Sequence, residues 1–376
     1  MRTSSSASAR IFEMKRAAMR CVALGGAFAA LWMASAVAKP AVDTIPRYDH
    51  IFVIVEENRT ANEIIGNPAA PNISRLAVTY GNATNFYAES HPSEPNYVAM
   101  VGGDTFGIHD DDAVYCKPHN PSADCKDSDE EGYVDHTIAA PNLAQQLDAH
   151  GLSWKGYFEN LPEPGSLVYH YPSPKTPVPG LPNALYASKH NGFVTFKSVQ
   201  DDPKRAEKIV GFDALERDIA SGTLPNYALI VPNQCDDMHG VGGPNSPADC
   251  RGKPALVARG DKFVGDLVAK LMTSKAWTGE GNTAIVITFD EDDDHNANDH
   301  PDGCCGFGDA NNPGGGWIPT IVMTNHGPRH AVDPTPYNHY SLLRTTEAAF
   351  GITDYLGHAA DRDKGVVVMA PLFAVK

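Results

Sequence analysis

Two short apolar runs that end in acidic residues constrain this chain more than any other feature. Residues 51–55 lead into Glu-Glu-Asn at 56–58, and residues 284–289 lead into five acids at 290–294. Such runs without polar alternation predict strands covered on both faces, as in a parallel α/β sheet. Each cluster alone would be typical of a solvated strand end. Because ligands collect at the carboxyl ends of such strands, the two together predict one site for a divalent metal with oxygen ligands.

Strand and helix patterns alternate along the rest of the chain. This alternation predicts an α/β fold with a mostly parallel central sheet and helices on both faces. No internal repeat or linker is evident, so we expect one domain over residues 39–376. Further strands are predicted over 80–87, 152–158, 226–231 and 317–323, and helices over 71–78, 97–101, 142–150, 212–221, 261–274 and 340–350.

The first 38 residues have the pattern of a secretory signal peptide. Five basic residues precede an apolar run over 21–36, which ends in an Ala-Val-Ala cleavage signal at 36–38. This order predicts removal of residues 1–38 and export to the periplasm or the medium. The apolar run is short and rich in small residues, so we do not expect a stable membrane anchor.

Six of the seven cysteines follow the predicted signal peptide. An even number in an exported protein indicates disulfides. Short-loop pairs are expected between Cys116 and Cys125 and between Cys235 and Cys250. The adjacent Cys304 and Cys305 could bridge each other or pair elsewhere.

The charge of the chain excludes one class of partner. The formal net charge is −16, and without residues 1–38 it is about −20. A nucleic-acid binder would need a basic stripe, so no nucleic-acid partner is expected. The sequence contains no evident basic or amphipathic segment for docking to a membrane. Its oligomeric state is left open, and a small-molecule ligand is the expected partner.

Ser93 is the candidate nucleophile. It lies in HPSEPN, where two prolines restrict the backbone. The same pattern suits a serine that caps the helix after it. A serine needs a base or a metal to become a nucleophile, and the acidic clusters would supply the metal.

Two histidines stand out among fifteen, most of which must be structural. His239 follows Asp237 by two residues, just past a predicted strand, and the pair could contact phosphate. Lys189 and His190 would add positive charge in a very acidic protein, which an anionic ligand requires.

Six segments in a fixed order resemble the phosphoesterase family of secreted acid phosphatases and non-specific phospholipases C, within the alkaline phosphatase superfamily. The similarity runs from about residue 48 to 352 and implies an alkaline-phosphatase-like fold. Loop 295–316 has no counterpart that we recognise. The segments are YDHIFVIVEENRT, AESHPSEPNYVAMVGG, ASKHNGFVTF, VPNQCDDMH, VITFDEDD and YNHYSLLRTTEAAFGI.

The resemblance implies roles for individual residues. Ser93 corresponds to the nucleophile, which also contacts the metal. Catalytic or phosphate-contact roles fall to His190, His239 and Asp237, with Lys189 beside the substrate. The implied metal ligands, in addition to Ser93, are Glu57, Asn58, Asp290 and Glu291.

The implied reaction is a two-step phosphoryl transfer. Ser93 attacks phosphorus, His190 and the metal stabilise charge on the equatorial oxygens, His239 protonates the leaving oxygen, and water then hydrolyses the phosphoserine. The first hypothesis is an exported metal-dependent phosphomonoesterase of acid phosphatase type. The second is a phospholipase C acting on lipid head groups. The third is a non-catalytic extracytoplasmic binding protein, which would need no nucleophile.

Overall fold

Buried apolar runs form the central strands of the molecule. The computed structural model describes residues 43–112, 135–243, 245–293, 301–308 and 312–375. The predicted signal peptide and the predicted Cys116–Cys125 pair lie outside these residues. Every residue of the strand at Thr283–Phe289 is buried, as are six of the seven at His50–Glu56.

Eleven strands lie in the part of the chain that the structure describes. They are β1 His50–Glu56, β2 Gly81–Tyr87, β3 Trp154–Phe158, β4 His170–Tyr171, β5 Tyr186–Ala187, β6 Ile209–Val210, β7 Tyr227–Val231, β8 Thr283–Phe289, β9 Trp317–Thr324, β10 Ala331–Asp333 and β11 Tyr337–Asn338.

Nine of these strands form one sheet, in the order β10-β2-β9-β8-β1-β7-β3-β6, with β11 also paired to β2. Only β9 runs antiparallel to its neighbours, β8 and β2. Strands β4 and β5 form a separate antiparallel pair. The predicted α/β class with a mostly parallel central sheet is therefore confirmed.

Helices connect and flank the strands. Their bounds are α1 Ala61–Ile64, α2 Pro71–Thr79, α3 Glu94–Gly102, α4 Leu143–Ala149, α5 Lys197–Gln200, α6 Arg205–Lys208, α7 Phe212–Ser221, α8 Lys253–Leu271, α9 Lys275–Thr278, α10 His339–Ala349 and α11 Ala370–Phe373.

Two helices begin three or more residues before the predicted start. Helix α8 begins at Lys253, eight residues before the predicted start, because Pro254 occupies its first turn, where a missing N–H costs nothing. Helix α3 begins at Glu94 and has Pro95 in its first turn. It ends at Gly102 and is capped by Gly103, whose φ of 75° is a left-handed conformation that suits glycine.

Two disulfides lie in the described residues. Cys235 is bonded to Cys250, as the sequence predicted, and Cys304 is bonded to Cys305. Residues from Asp43 onward belong to one compact unit. Across the helices that the structure describes, none combines the length and the apolar character needed to span a membrane.

Candidate active site

The pairing of β1 with β8 brings the two acidic clusters together. The strands are parallel, with Glu56 opposite Phe289, so residues 57–58 and 290–291 leave the sheet at the same edge. The Asn58 backbone N–H donates to Asp290 Oδ1 at 3.1 Å, and its side-chain amide donates to Glu291 Oε1 at 2.7 Å. The structure thus joins the four acidic and amide residues that the resemblance assigned to the metal.

The Ser93 hydroxyl is directed at these carboxylates. Ser93 occupies the N-cap position of α3, yet its side chain makes no capping hydrogen bond. Its Oγ lies 3.1 Å from Glu291 Oε1 and 3.3 Å from Glu57 Oε2. Of the two interpretations of this serine, the geometry favours a site residue over a helix cap.

The loop after β7 supplies the next group. Asp237 is buried, and its Oδ1 accepts the backbone N–H of His239 at 2.8 Å. Buried His190 lies between two acids, with Nε2 3.2 Å from Glu57 Oε1 and Nδ1 3.7 Å from Asp237 Oδ2. The His190 and His239 ring centroids are 6.1 Å apart. His190 therefore lies between the Glu57 and Asp237 carboxylates, with His239 beside it.

Lys189 supplies positive charge beside the carboxylates. Its Nζ lies 2.7 Å from Asp111 Oδ2. Burial opposes the charge on Lys189, but the carboxylates of Glu57 and Asp111 outweigh burial and raise its pKa above the ordinary value. Lys189 therefore remains cationic and could bind an anionic substrate. Burial and the nearby Lys189 both lower the pKa of His190, which favours its neutral form.

The acids of the site are crowded and poorly solvated. Burial first, and then the neighbouring carboxylates, raise the pKa values of Glu57 and Asp237 well above the ordinary range. Burial together with Glu291 raises the pKa of Asp290 to about 7, and burial raises that of Glu291 to about 8. So many buried carboxylates require a strong counter-charge if they are to ionise at neutral pH.

The donor atoms present fit a divalent cation. Asn58 Oδ1 and Asp290 Oδ2 are buried and have no hydrogen-bond partner among the described residues, which is costly unless something else binds them. Glu57, His190 and Asp237 offer further ligand atoms within 4.8 Å of one another. Carboxylate, amide and imidazole donors suit a hard or borderline divalent ion.

Two residues that the sequence analysis missed also contact the site. The Tyr97 hydroxyl donates to Glu57 Oε1 at 2.5 Å, and its ring stacks on His190 with the centroids 5.1 Å apart. The His91 Nδ1 contacts Glu291 Oε2. A signal for Tyr97 existed, since four residues separate it from Ser93 and such pairs share a helix face.

The acidic run after β8 divides between the site and the surface. Asp292 is buried, with Oδ1 3.6 Å from His91 Nε2. Asp293 instead forms ion pairs with Lys253 and, at 3.8 Å, with Arg59. Asp294 lies outside the described residues.

The model of the Phosphoesterase family matches residues 67–353, most of the chain, so the chain belongs to that family. Relatives named as phosphatases identify it as a hydrolase of phosphoric esters. The match confirms the family that the sequence motifs indicated.

Two curated relatives illustrate the similarity. The chain is 30% identical over 342 residues to a phosphatidylinositol-3-phosphatase of Mycobacterium tuberculosis, covering 89% of each chain. It is also 30% identical over 269 residues to an acid phosphatase of Aspergillus fumigatus, covering 72% of this chain and 48% of the relative. The chain thus spans nearly all of the bacterial relative and about half of the fungal one.

A solved structure shares the fold. A protein of the alkaline phosphatase superfamily from Vibrio parahaemolyticus superposes with a TM-score of 0.51 at 13% identity, covering 86% of this chain and 74% of that one. At this identity the similarity concerns the fold alone, and it agrees with the alkaline-phosphatase-like architecture expected from the sequence.

Proposed function

We propose that this protein is an exported, metal-dependent phosphomonoesterase of acid phosphatase type, with Ser93 as its nucleophile. The observation that carries the proposal is the Ser93 hydroxyl, which bonds to Glu291 and Glu57 instead of capping α3. These hydrogen bonds hold the serine beside the carboxylates that are proposed to bind the metal. The serine gains reactivity if a cation binds the same carboxylates.

A divalent ion would be held by Glu57, Asn58, Asp290 and Glu291, with Ser93 in contact. When bound, it would supply Lewis acidity and neutralise charge on the phosphoryl oxygens. The unpartnered oxygens of Asn58 and Asp290 support this assignment. His190 and Asp237 also offer ligand atoms beside Glu57, so they either share the ion or orient the substrate next to it.

The chain's own side chains account for the remaining chemistry. Ser93 Oγ forms the new bond to phosphorus as its proton passes to a carboxylate that it contacts, Glu291 or Glu57, and the bond from phosphorus to the leaving oxygen breaks. Lys189 and His190 bind the phosphoryl oxygens and oppose their developing charge. Water then attacks the phosphoserine, and inorganic phosphate leaves.

Under this proposal, His239 moves protons in both steps. In the neutral ring, Nδ1–H donates to the Gly240 carbonyl at 2.7 Å. This contact leaves Nε2 as the nitrogen that exchanges a proton with the leaving oxygen or with water. Desolvation and the nearby Lys189 lower the pKa of His239 to about 4, so the protonated ring that serves the leaving oxygen is populated mainly in acidic solution.

Residues 1–38 act as the export signal under this proposal, and residues 39–376 act as one catalytic domain. N-terminal sequencing of protein recovered from the periplasm or medium tests the cleavage site. A mature chain that begins at Lys39 would support it. A chain that retains residues 1–38 would overturn it.

The enzymatic test compares two chromogenic substrates, p-nitrophenyl phosphate and p-nitrophenylphosphorylcholine, each with and without EDTA. The proposal predicts monoester cleavage that EDTA stops and added metal restores. Preference for the choline diester would instead favour the phospholipase C alternative. Full activity of a chelated, metal-free sample would refute metal dependence.

The name of the M. tuberculosis relative suggests a lipid monoester to add to this comparison. Release of inorganic phosphate from phosphatidylinositol 3-phosphate in mixed micelles should be measured beside p-nitrophenyl phosphate. No turnover of any of these substrates by metal-loaded protein would favour the binding-protein alternative.

A further inference from the structure

A second group of potential metal ligands lies behind Ser93. Glu94 begins α3, Asp110 follows that helix along the chain, and His136 precedes the isolated bridge at Ile138. Each offers one ligand atom, and these atoms all lie within 4.8 Å of one another. Ligand atoms on one zinc ion lie about 3–4 Å apart, given bonds of about 2.0–2.2 Å, so a small adjustment would let all three reach one ion.

One oxygen of the Glu94 carboxylate has no hydrogen-bond partner among the described residues. Its side chain is fully buried, and Oε2 lies 2.8 Å from His136 Nδ1. The other oxygen, Oε1, is also buried and has no hydrogen-bond partner among the described residues. A carboxylate oxygen buried without a donor is costly, which indicates that the folded protein binds something there.

The charge around Glu94 favours a cation. Asp110 Oδ1 lies 3.2 Å from His136 Nε2, and Asp111 Oδ1 accepts the Glu94 backbone N–H at 3.0 Å. Lys189 is already paired with Asp111. Within the described part of the chain, the carboxylates of Glu94 and Asp110 therefore share only the imidazole of His136 as a positive partner.

We propose that Glu94, Asp110 and His136 form a second divalent-metal site, separate from the one at Glu57 and Asp290. An imidazole nitrogen with two carboxylates suits zinc or manganese better than calcium or magnesium, which prefer oxygen ligands. Asp110 is exposed, which gives the ion a path from solvent and leaves room for water ligands.

The ion would act on the start of α3. Glu94 directly follows Ser93, so a metal on its carboxylate fixes the turn that carries the nucleophile. It would also join that turn to Asp110 and His136, which flank residues 111–135 in the sequence. This is a positioning role, since none of the three ligands lies among the contacts of Ser93 Oγ.

A protonated His136 is the competing explanation. An imidazolium ion could bridge Glu94 Oε2 and Asp110 Oδ1 through its two N–H groups, and no metal would be needed. That arrangement still leaves Glu94 Oε1 without a donor from any residue that the structure describes. Counting bound metal separates the two explanations.

The test measures zinc by mass spectrometry after equilibrium dialysis of the mature protein against buffered ZnCl₂. Asp110→Asn and His136→Gln each remove one ligand, and Asp112→Asn is the matched control, because Asp112 is a neighbouring exposed acid. Glu57→Gln weakens the active-site metal independently. Thermal unfolding in EDTA checks that each variant folds as the wild type does.

We expect two zinc ions in the wild type and in Asp112→Asn, and one in each of the other three variants. Loss of one ligand should raise the Kd for zinc at this site by roughly 10-fold or more. Equal zinc content in the wild type, Asp110→Asn and His136→Gln would overturn the proposal. If Glu57→Gln is the only one of these three variants that binds as much zinc as the wild type, the proposed active-site metal is refuted and the second metal site is supported.

Discussion

Tyr97→Phe tests whether the hydrogen bond from the Tyr97 hydroxyl to Glu57 supports metal binding and catalysis. The substitution removes one oxygen and keeps the ring that stacks on His190. The lost hydroxyl donates to Glu57 Oε1 at 2.5 Å, and both side chains are fully buried. Solvent does not reach this oxygen, and among the described residues only His190, at 3.2 Å, also contacts it.

The magnitude follows from the type of bond. A hydrogen bond to a charged group contributes about 1.5–3 kcal/mol. A change of about 1.36 kcal/mol corresponds to a tenfold change in an equilibrium or rate constant. Glu57 is a proposed metal ligand. Loss of its hydrogen bond from Tyr97 should therefore weaken metal binding or lower kcat/KM by roughly 10- to 100-fold, the range typical of residues that orient a ligand.

The assay pairs calorimetric titration of zinc into metal-free protein with kcat/KM for p-nitrophenyl phosphate at saturating metal. Tyr157→Phe is the control, because it removes a comparable hydrogen bond, from a buried tyrosine to Asp218 Oδ2 at 2.6 Å. Zinc affinity and kcat/KM of Tyr97→Phe both within twofold of the wild type would refute a supporting role for the hydroxyl.

Three further perturbations follow from the structure. Lys189→Gln should lower kcat/KM for phosphomonoesters by about 100-fold, while exposed Lys204→Gln leaves it unchanged; equal losses would refute the role. Burial raises the pKa of Glu347 to about 8, above its ordinary 4.5, so its contribution to stability is lost as pH rises from about 4.5 through 8. Chemical denaturation should therefore find Glu347→Gln more stable than wild type by about 1–3 kcal/mol at pH 9, with little difference at pH 5 and none for exposed Glu280→Gln. Dialysis against EDTA should abolish turnover of p-nitrophenyl phosphate, and turnover that persists without metal would contradict the account.

The prediction for Glu347 depends on its neighbour Gln146. Glu347 Oε2 and Gln146 Oε1 are both buried acceptors without a hydrogen-bond partner among the described residues. A protonated carboxyl or an amide at position 347 can donate where the carboxylate cannot. An unchanged pH dependence of stability in Glu347→Gln would show that other groups determine it.

The central strands and the edge that carries the site were predictable from local sequence. The apolar runs of β1 and β8 have no polar alternation, and the rule that parallel strands collect ligands at their carboxyl ends placed Glu57 and Asp290 together. Strand β10 was not predicted. It has three residues, of which only Asp333 is buried, so its apolar pattern is too short to recognise.

The contacts that complete the site depend on packing between distant segments. Tyr97 meets Glu57 across 40 positions, and Lys189 meets Asp111 across 78. No local pattern encodes such distances. His190 and Asp237 were selected from the residues beside them and from the family motifs, but the sequence alone did not show that His190 would lie between Glu57 and Asp237.

The central claim is that Ser93 accepts the phosphoryl group, and the direct measurement is mass spectrometry of metal-loaded enzyme quenched in acid during turnover of p-nitrophenyl phosphate. The account predicts one phosphoryl group on the peptide that contains Ser93. Ser93→Ala should carry none and lose at least about 10³-fold in kcat. Ser90→Ala, a buried serine in the same turn, should remain active and labelled at Ser93. Phosphate on another residue, or turnover by Ser93→Ala at the wild-type rate, would contradict the account.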